Sequence, residues 1–173
     1  KFCLFIYTED MTIIIKNKET LIFGEFTFKC CVGEHGTTNN KVEGDKKTPK
    51  GLFSLGNVYF RKDRNVKPIT KLKTISLSKK MGWCNDVNSK KYNKLITRNK
   101  KIKHEKMFRK DYKYDYVIPI NYNTKNTKIG KGSAIFIHLN KNYKKTAGCI
   151  ALKKKDLLIL LKLINRKTKV RIF

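Results

Sequence analysis

Two runs decide how this chain is read: Ala134-Ile135-Phe136-Ile137-His138-Leu139 and, after a polar stretch at 140–145, Thr146-Ala147-Gly148-Cys149-Ile150-Ala151-Leu152. The first is apolar without alternation, as expected of a central strand covered on both faces. The second resumes the same character. A chain that leaves one central strand, loops and starts another brings the strand ends side by side, here His138 and Gly148-Cys149. A thiol beside an imidazole can pass its proton to it, and thiolate is the attacking species. Gly148 admits a substrate carbonyl at close range, and amides of the turn can bind a developing oxyanion. A lone His–Cys pair at this spacing is equally a packing arrangement, so the residues by themselves leave both readings open.

Outward from this stretch the chain is rich in short strands. Residues 2–7, 11–15, 20–23 and 25–32 are apolar, β-branched and aromatic runs separated by turn signals, the pattern of a β-meander. Residues 33–47 are polar and Gly-rich, a loop. Thr48-Pro49-Lys50-Gly51-Leu52-Phe53 reads as a turn entering a strand, and two or three further strands are expected in 56–82. Residues 83–115 interrupt the pattern as an ordered insertion, with a short helix expected at 104–110. A strand is expected at 116–122 and a loop at 123–132. Leu157, Leu160, Leu161 and Ile164 fall at helical spacing, predicting a helix over 154–167, and 169–173 returns as a strand. With no repeat and no linker, residues 1–173 are expected to form one domain.

The 173 residues carry 41 Lys and Arg against 13 Asp and Glu, a net charge of +28. Residues 1–45 hold five basic and seven acidic side chains, so residues 46–173 carry a net +30. Such a field attracts polyanions without specifying a fold. The lysines are scattered as pairs and triplets, and no zinc-finger, leucine-zipper or RNA-recognition signature accompanies them, so no specific nucleic-acid partner is expected. No apolar run reaches the ~18–20 residues of a membrane-spanning helix. Five cysteines (3, 30, 31, 84 and 149) leave at least one thiol unpaired within the chain. No Cys-x-x-Cys or Cys-x-x-His spacing indicates zinc, and no metal or organic cofactor is expected. The opening residues are basic and then apolar, but Thr8-Glu9-Asp10 ends the run too soon for a signal peptide.

Several segments together resemble the L,D-transpeptidase catalytic domain, the YkuD type. Its signature runs from a His across a spacer to a Ser/Thr-His-Gly-Cys block, matched here by His138 and Thr146-Ala147-Gly148-Cys149. Thr48-Pro49-Lys50-Gly51-Leu52-Phe53 is similar to the family's upstream Thr-Pro-x-Gly-x-Phe segment. A branch of small bacterial members is similar further through Gly82-Trp83-Cys84-Asn85-Asp86, Tyr92-Asn93, His104-Glu105, Tyr114-Asp115 and Gly132-Ser133-Ala134-Ile135-Phe136. The spacer from His138 to Cys149 is shorter than the common pattern, implying a smaller lid. Ala147 stands where the family commonly has His.

The resemblance implies a mainly β fold, a single sandwich or barrel-like domain with a C-terminal helix packed on it. It implies an enzyme acting on peptidoglycan stem peptides in the bacterial cell envelope or periplasm. Cys149 would be the nucleophile and His138 the proton donor and acceptor, oriented by the Leu139 carbonyl. Gly148 would contribute its backbone to the oxyanion site, with the Cys149 amide, and Thr146 would support it. Weaker expectations place His104, Glu105, Arg109 and Trp83 against substrate; His35 is a loop residue. Two alternatives stand beside this reading. One is a Cys–His hydrolase or carboxypeptidase on the same scaffold; the other is a non-catalytic polyanion-binding protein. Oligomeric state is not specified by any of these features.

Overall fold

The computed structural model describes residues 12–173. The strand expected at 2–7 and Cys3 lie outside the described residues. The elements are β1 (Thr12–Lys16), β2 (Thr20–Phe23), β3 (Phe26–Cys31), β4 (Thr37–Thr38), β5 (Thr48–Pro49), β6 (Gly51–Ser54), β7 (Val58–Phe60) and β8 (Thr74–Ser76). They continue as β9 (Met81–Cys84), β10 (Leu95–Thr97), β11 (His104–Lys106), β12 (Tyr116–Pro119), β13 (Phe136–Leu139), β14 (Ile150–Leu152), α1 (Lys154–Leu163) and β15 (Lys169–Ile172).

Ten strands form one curled sheet in the order β6-β15-β1-β2-β3-β14-β13-β12-β7-β8. It bends back on itself: Leu55, just past β6, bridges Ile120, just past β12, and the Gly56 amide donates to the Pro119 carbonyl at 2.8 Å. The fold is therefore mainly β and barrel-like, as the resemblance implies. Ile13, Ile15, Leu21 and Phe23 alternate inward from β1 and β2 into the core, and Leu157, Leu160, Leu161 and Ile164 of the C-terminal helix are fully buried against the same core.

β12, β13 and β14 are buried along their whole length. Ile118, Ile137, Leu139, Ile150 and Leu152 face the main core, whereas Val117, Phe136 and Cys149 join a second cluster on the opposite face. That second face is covered by residues from 81–114, including Trp83, Met107 and Tyr114. Central strands covered on both faces explain why their sequence does not alternate.

Three expectations are corrected. Residues 104–110 begin as strand β11, not as a helix: His104, Glu105 and Lys106 pair with Cys84, Trp83 and Gly82 in a three-stranded sheet, β10-β9-β11. The backbone of β9 offers these residues ladder partners, and that tertiary pairing outweighs a weak local helix preference. The C-terminal helix stops at Leu163 because Asn165 and Thr168 satisfy one another locally. The Asn165 amide donates to Thr168 Oγ1 at 3.0 Å, and Asn165 Oδ1 accepts from the Lys167 amide at 2.8 Å. Within the loop 33–47, β4 pairs in parallel with β5.

Candidate active site

β13 and β14 run parallel, with Ile137 opposite Ile150 and His138 opposite Ala151. Cys149 immediately precedes β14 and shares the His138 face by strand alternation. His138 and Cys149 line one cavity of about 330 Å³, the size of an ordinary small-ligand site.

The imidazole has a defined tautomer. His138 Nδ1 lies 2.8 Å from the Leu139 carbonyl, which can only accept, so Nδ1 carries the proton and Nε2 the lone pair. The Tyr114 ring packs against it edge-on at 5.4 Å. The thiol is held as firmly: Cys149 Sγ accepts from the Phe136 amide at 3.3 Å and donates to the Ala134 carbonyl at 3.3 Å. Burial pushes His138 down to about 4, outweighing the Leu139 carbonyl, and pushes Cys149 up to about 12, outweighing the Phe136 amide. The resting pair is thus thiol and neutral imidazole. The sequence suggests a thiol that can pass its proton to the imidazole; desolvation of both groups works against a standing ion pair.

The turn before Cys149 is tied down atom by atom. Thr146 Oγ1 donates to the Cys149 carbonyl at 2.6 Å and accepts from the Gly148 amide at 3.1 Å. That amide, one of the two expected oxyanion donors, is therefore committed internally. Gly148 sits at φ +137°, and a Cβ there would meet the Lys47 carbonyl at 2.9 Å, so glycine is required by conformation and space. Thr48, fully buried, donates from Oγ1 to the Gly148 carbonyl at 2.8 Å and accepts from the Gly33 amide at 2.9 Å. The Thr-Pro-x-Gly segment thereby buttresses the turn before Cys149 from a hundred residues away.

Asn93 is a second support that sequence reading did not assign. Its Oδ1 accepts from Trp83 Nε1 at 2.9 Å and from the Ala134 amide at 3.0 Å, and its Nδ2 donates to the carbonyls of Tyr122 and Asn123. Ala134 occupies the left-handed region at φ +52°. A non-glycine residue there is strained, and the Asn93 contact holds it. The signal in the sequence was the Tyr92-Asn93 pair, whose polar member is 3% exposed.

The weaker expectations separate. Arg109 and Glu105 line the cavity, but Arg109 is already committed: its guanidinium forks onto Asp111 at 2.9 and 2.7 Å and reaches Glu105 Oε1 at 2.8 Å. Asp111 is held down at about 2 by that fork. Trp83 does not line the cavity; it is buried, edge-on to Phe136 at 5.2 Å. His104 does not line it either, its Nδ1 lying 2.7 Å from the Ile102 carbonyl and its Nε2 accepting from Arg98. Lys113, Lys141, Lys144 and Lys145 also line the cavity and give it positive charge. Among the described residues the thiols of Cys30, Cys31, Cys84 and Cys149 are free and buried, and no three His, Cys, Asp or Glu side chains group as metal ligands.

Comparison with known proteins adds one match. The YkuD family model, the L,D-transpeptidase catalytic domain, aligns to residues 4–172. No curated protein matches the chain.

Proposed function

The chain belongs to the YkuD family of L,D-transpeptidase catalytic domains, and from that membership we propose that it is a cysteine acyltransferase acting on peptidoglycan stem peptides. Residues 1–173 act in this reading as one catalytic domain of the bacterial cell envelope. Among the described residues no helix is long and apolar enough to cross a membrane.

Cys149 Sγ attacks the carbonyl joining the third and fourth stem residues. His138 Nε2 takes the thiol proton as the C–S bond forms, because burial disfavours a standing thiolate–imidazolium pair. The oxyanion is met by the Cys149 amide. Collapse of the tetrahedral species breaks the C–N bond, and the imidazolium returns its proton to the leaving amine of the terminal D-amino acid. The thioester then passes to the amine of a second stem, which surrenders a proton through the same imidazole and leaves a cross-link and a free thiol. Lysines lining the cavity draw in the carboxylates that stem peptides carry.

The observation that carries this reading is the His138 tautomer: Nδ1 is occupied by the Leu139 carbonyl, so the basic nitrogen is the one left for a thiol lining the same cavity. Digesting purified sacculi with the protein and analysing fragments by mass spectrometry tests it. Transfer yields cross-linked dimers that depend on Cys149. Trimmed monomers without dimers would replace transfer by hydrolysis, and untouched sacculi would overturn the proposal.

A further inference from the structure

Among the described residues, two buried side-chain polar atoms have no hydrogen-bond partner: Asn140 Nδ2 and Asn85 Oδ1. Both residues line the cavity that holds His138 and Cys149. Folded proteins pair nearly all such atoms, because a buried donor or acceptor left alone destabilises the fold. That the two exceptions meet at one cavity points to a ligand that completes them.

Asn140 is 8% exposed and follows His138 by two residues, so the alternation of β13 puts it on the same face. Its backbone is fixed, the amide donating to the Leu152 carbonyl at 2.7 Å. Asn85 follows β9 on the covering sheet, its amide donating to the Lys103 carbonyl at 3.3 Å. One orphan is a donor and the other an acceptor. A peptide unit presents that complement, a C=O for Asn140 and an N–H for Asn85.

We propose that Asn140 and Asn85 are specificity-determining anchors for the acyl-donor peptide, Asn140 Nδ2 donating to a carbonyl or carboxylate oxygen and Asn85 Oδ1 accepting an N–H. The inference rests on the acyl-transfer reading of the site. It assigns recognition to neutral amides that line the same cavity as Cys149, while Arg109 stays engaged with Asp111 and Glu105. Lys141, Lys144 and Lys145 line the same cavity and favour a peptide with a free carboxylate.

Calorimetric binding of a synthetic peptidoglycan tetrapeptide stem to the full chain carrying Cys149→Ser tests it without turnover. Adding Asn140→Leu or Asn85→Leu raises Kd about fivefold each, as loss of one neutral hydrogen bond does. Thermal stability is unchanged or higher, since an unpaired buried atom is removed. Asn140→Asp, which keeps the shape but loses the donor, weakens binding at least as much and covers the case in which a Leu variant misfolds. In the wild-type background the same substitutions raise KM and leave kcat within about twofold. Unchanged Kd in all three variants would overturn the proposal. So would a fall in stability with unchanged Kd, which marks a purely structural role, or absence of tetrapeptide binding. Failure of the acyl-transfer reading is seen separately, in wild-type action on sacculi.

Discussion

The Ala134 carbonyl accepts the Cys149 thiol proton at 3.3 Å from a backbone held at φ +52°. A strained residue therefore orients the Cys149 thiol, and the Asn93 side chain fixes the strained residue through its amide. This couples the insertion between β8 and β12 to the segment that leads into β13. Trp83 joins the same hub through its indole N–H.

Asn93→Ala removes the partner of the buried Trp83 N–H and the Ala134 N–H together. Each lost partner costs about 1–2 kcal/mol, so urea denaturation should show a loss of about 2–4 kcal/mol. A loss below about 0.5 kcal/mol would mean that the hub does not hold this region.

Gly148→Ala places a Cβ against the Lys47 carbonyl at a φ that side chains avoid. Destabilisation of about 1–3 kcal/mol is expected, with loss of sacculus activity. Thr48→Val keeps the shape of Thr48 but leaves the Gly148 carbonyl and the Gly33 amide without their partner, and should cost about 2 kcal/mol. Denaturation midpoints equal to wild type for both variants would contradict the buttress described here.

The acid limb of stability carries a signature of His138. Its native value lies near 4, below the ordinary 6.5, so the unfolded chain binds the proton more tightly. The contribution is fully present above pH 6.5 and is lost as pH falls from 6.5 through 4, by at most ~1.4 kcal/mol per pH unit. His138→Gln should flatten the difference between pH 7 and pH 4. Parallel stability curves for the two proteins would show that His138 is not buried neutral.

How much of this was legible in the sequence follows from how local each signal is. The unalternating run ending at Leu139 and the spacing of Leu157, Leu160, Leu161 and Ile164 report burial directly; the strand and the buried helix face were found there, though the helix ends at Leu163, short of the expected 167. β11 did not, because His104-Glu105-Lys106 has no strand periodicity and is extended only by pairing with β9. Thr48 and Asn93 were visible within motifs, but their partners, Gly148 and Ala134, lie across long stretches of chain and no local pattern names them. The protonation states were misread for a similar reason: the desolvation that keeps Cys149 and His138 neutral comes from residues gathered by the fold.

Alkylation reports that desolvation. With the thiol pushed up to about 12, the iodoacetamide rate at Cys149 should rise roughly tenfold per pH unit from pH 7 to 10. Cys149 should still be labelled before Cys30, Cys31 and Cys84, since it alone of the four lines the cavity. A rate plateau near neutrality would reveal a preformed thiolate.

Intact-mass spectrometry of the folded chain after incubation with a carbapenem, whose strained lactam carbonyl acylates a competent thiol, is the most direct measurement of nucleophilic Cys149. One covalent addition of the lactam mass is expected, absent from Cys149→Ala. A folded wild-type protein that remains unmodified, or an adduct that persists in Cys149→Ala, would contradict the assignment.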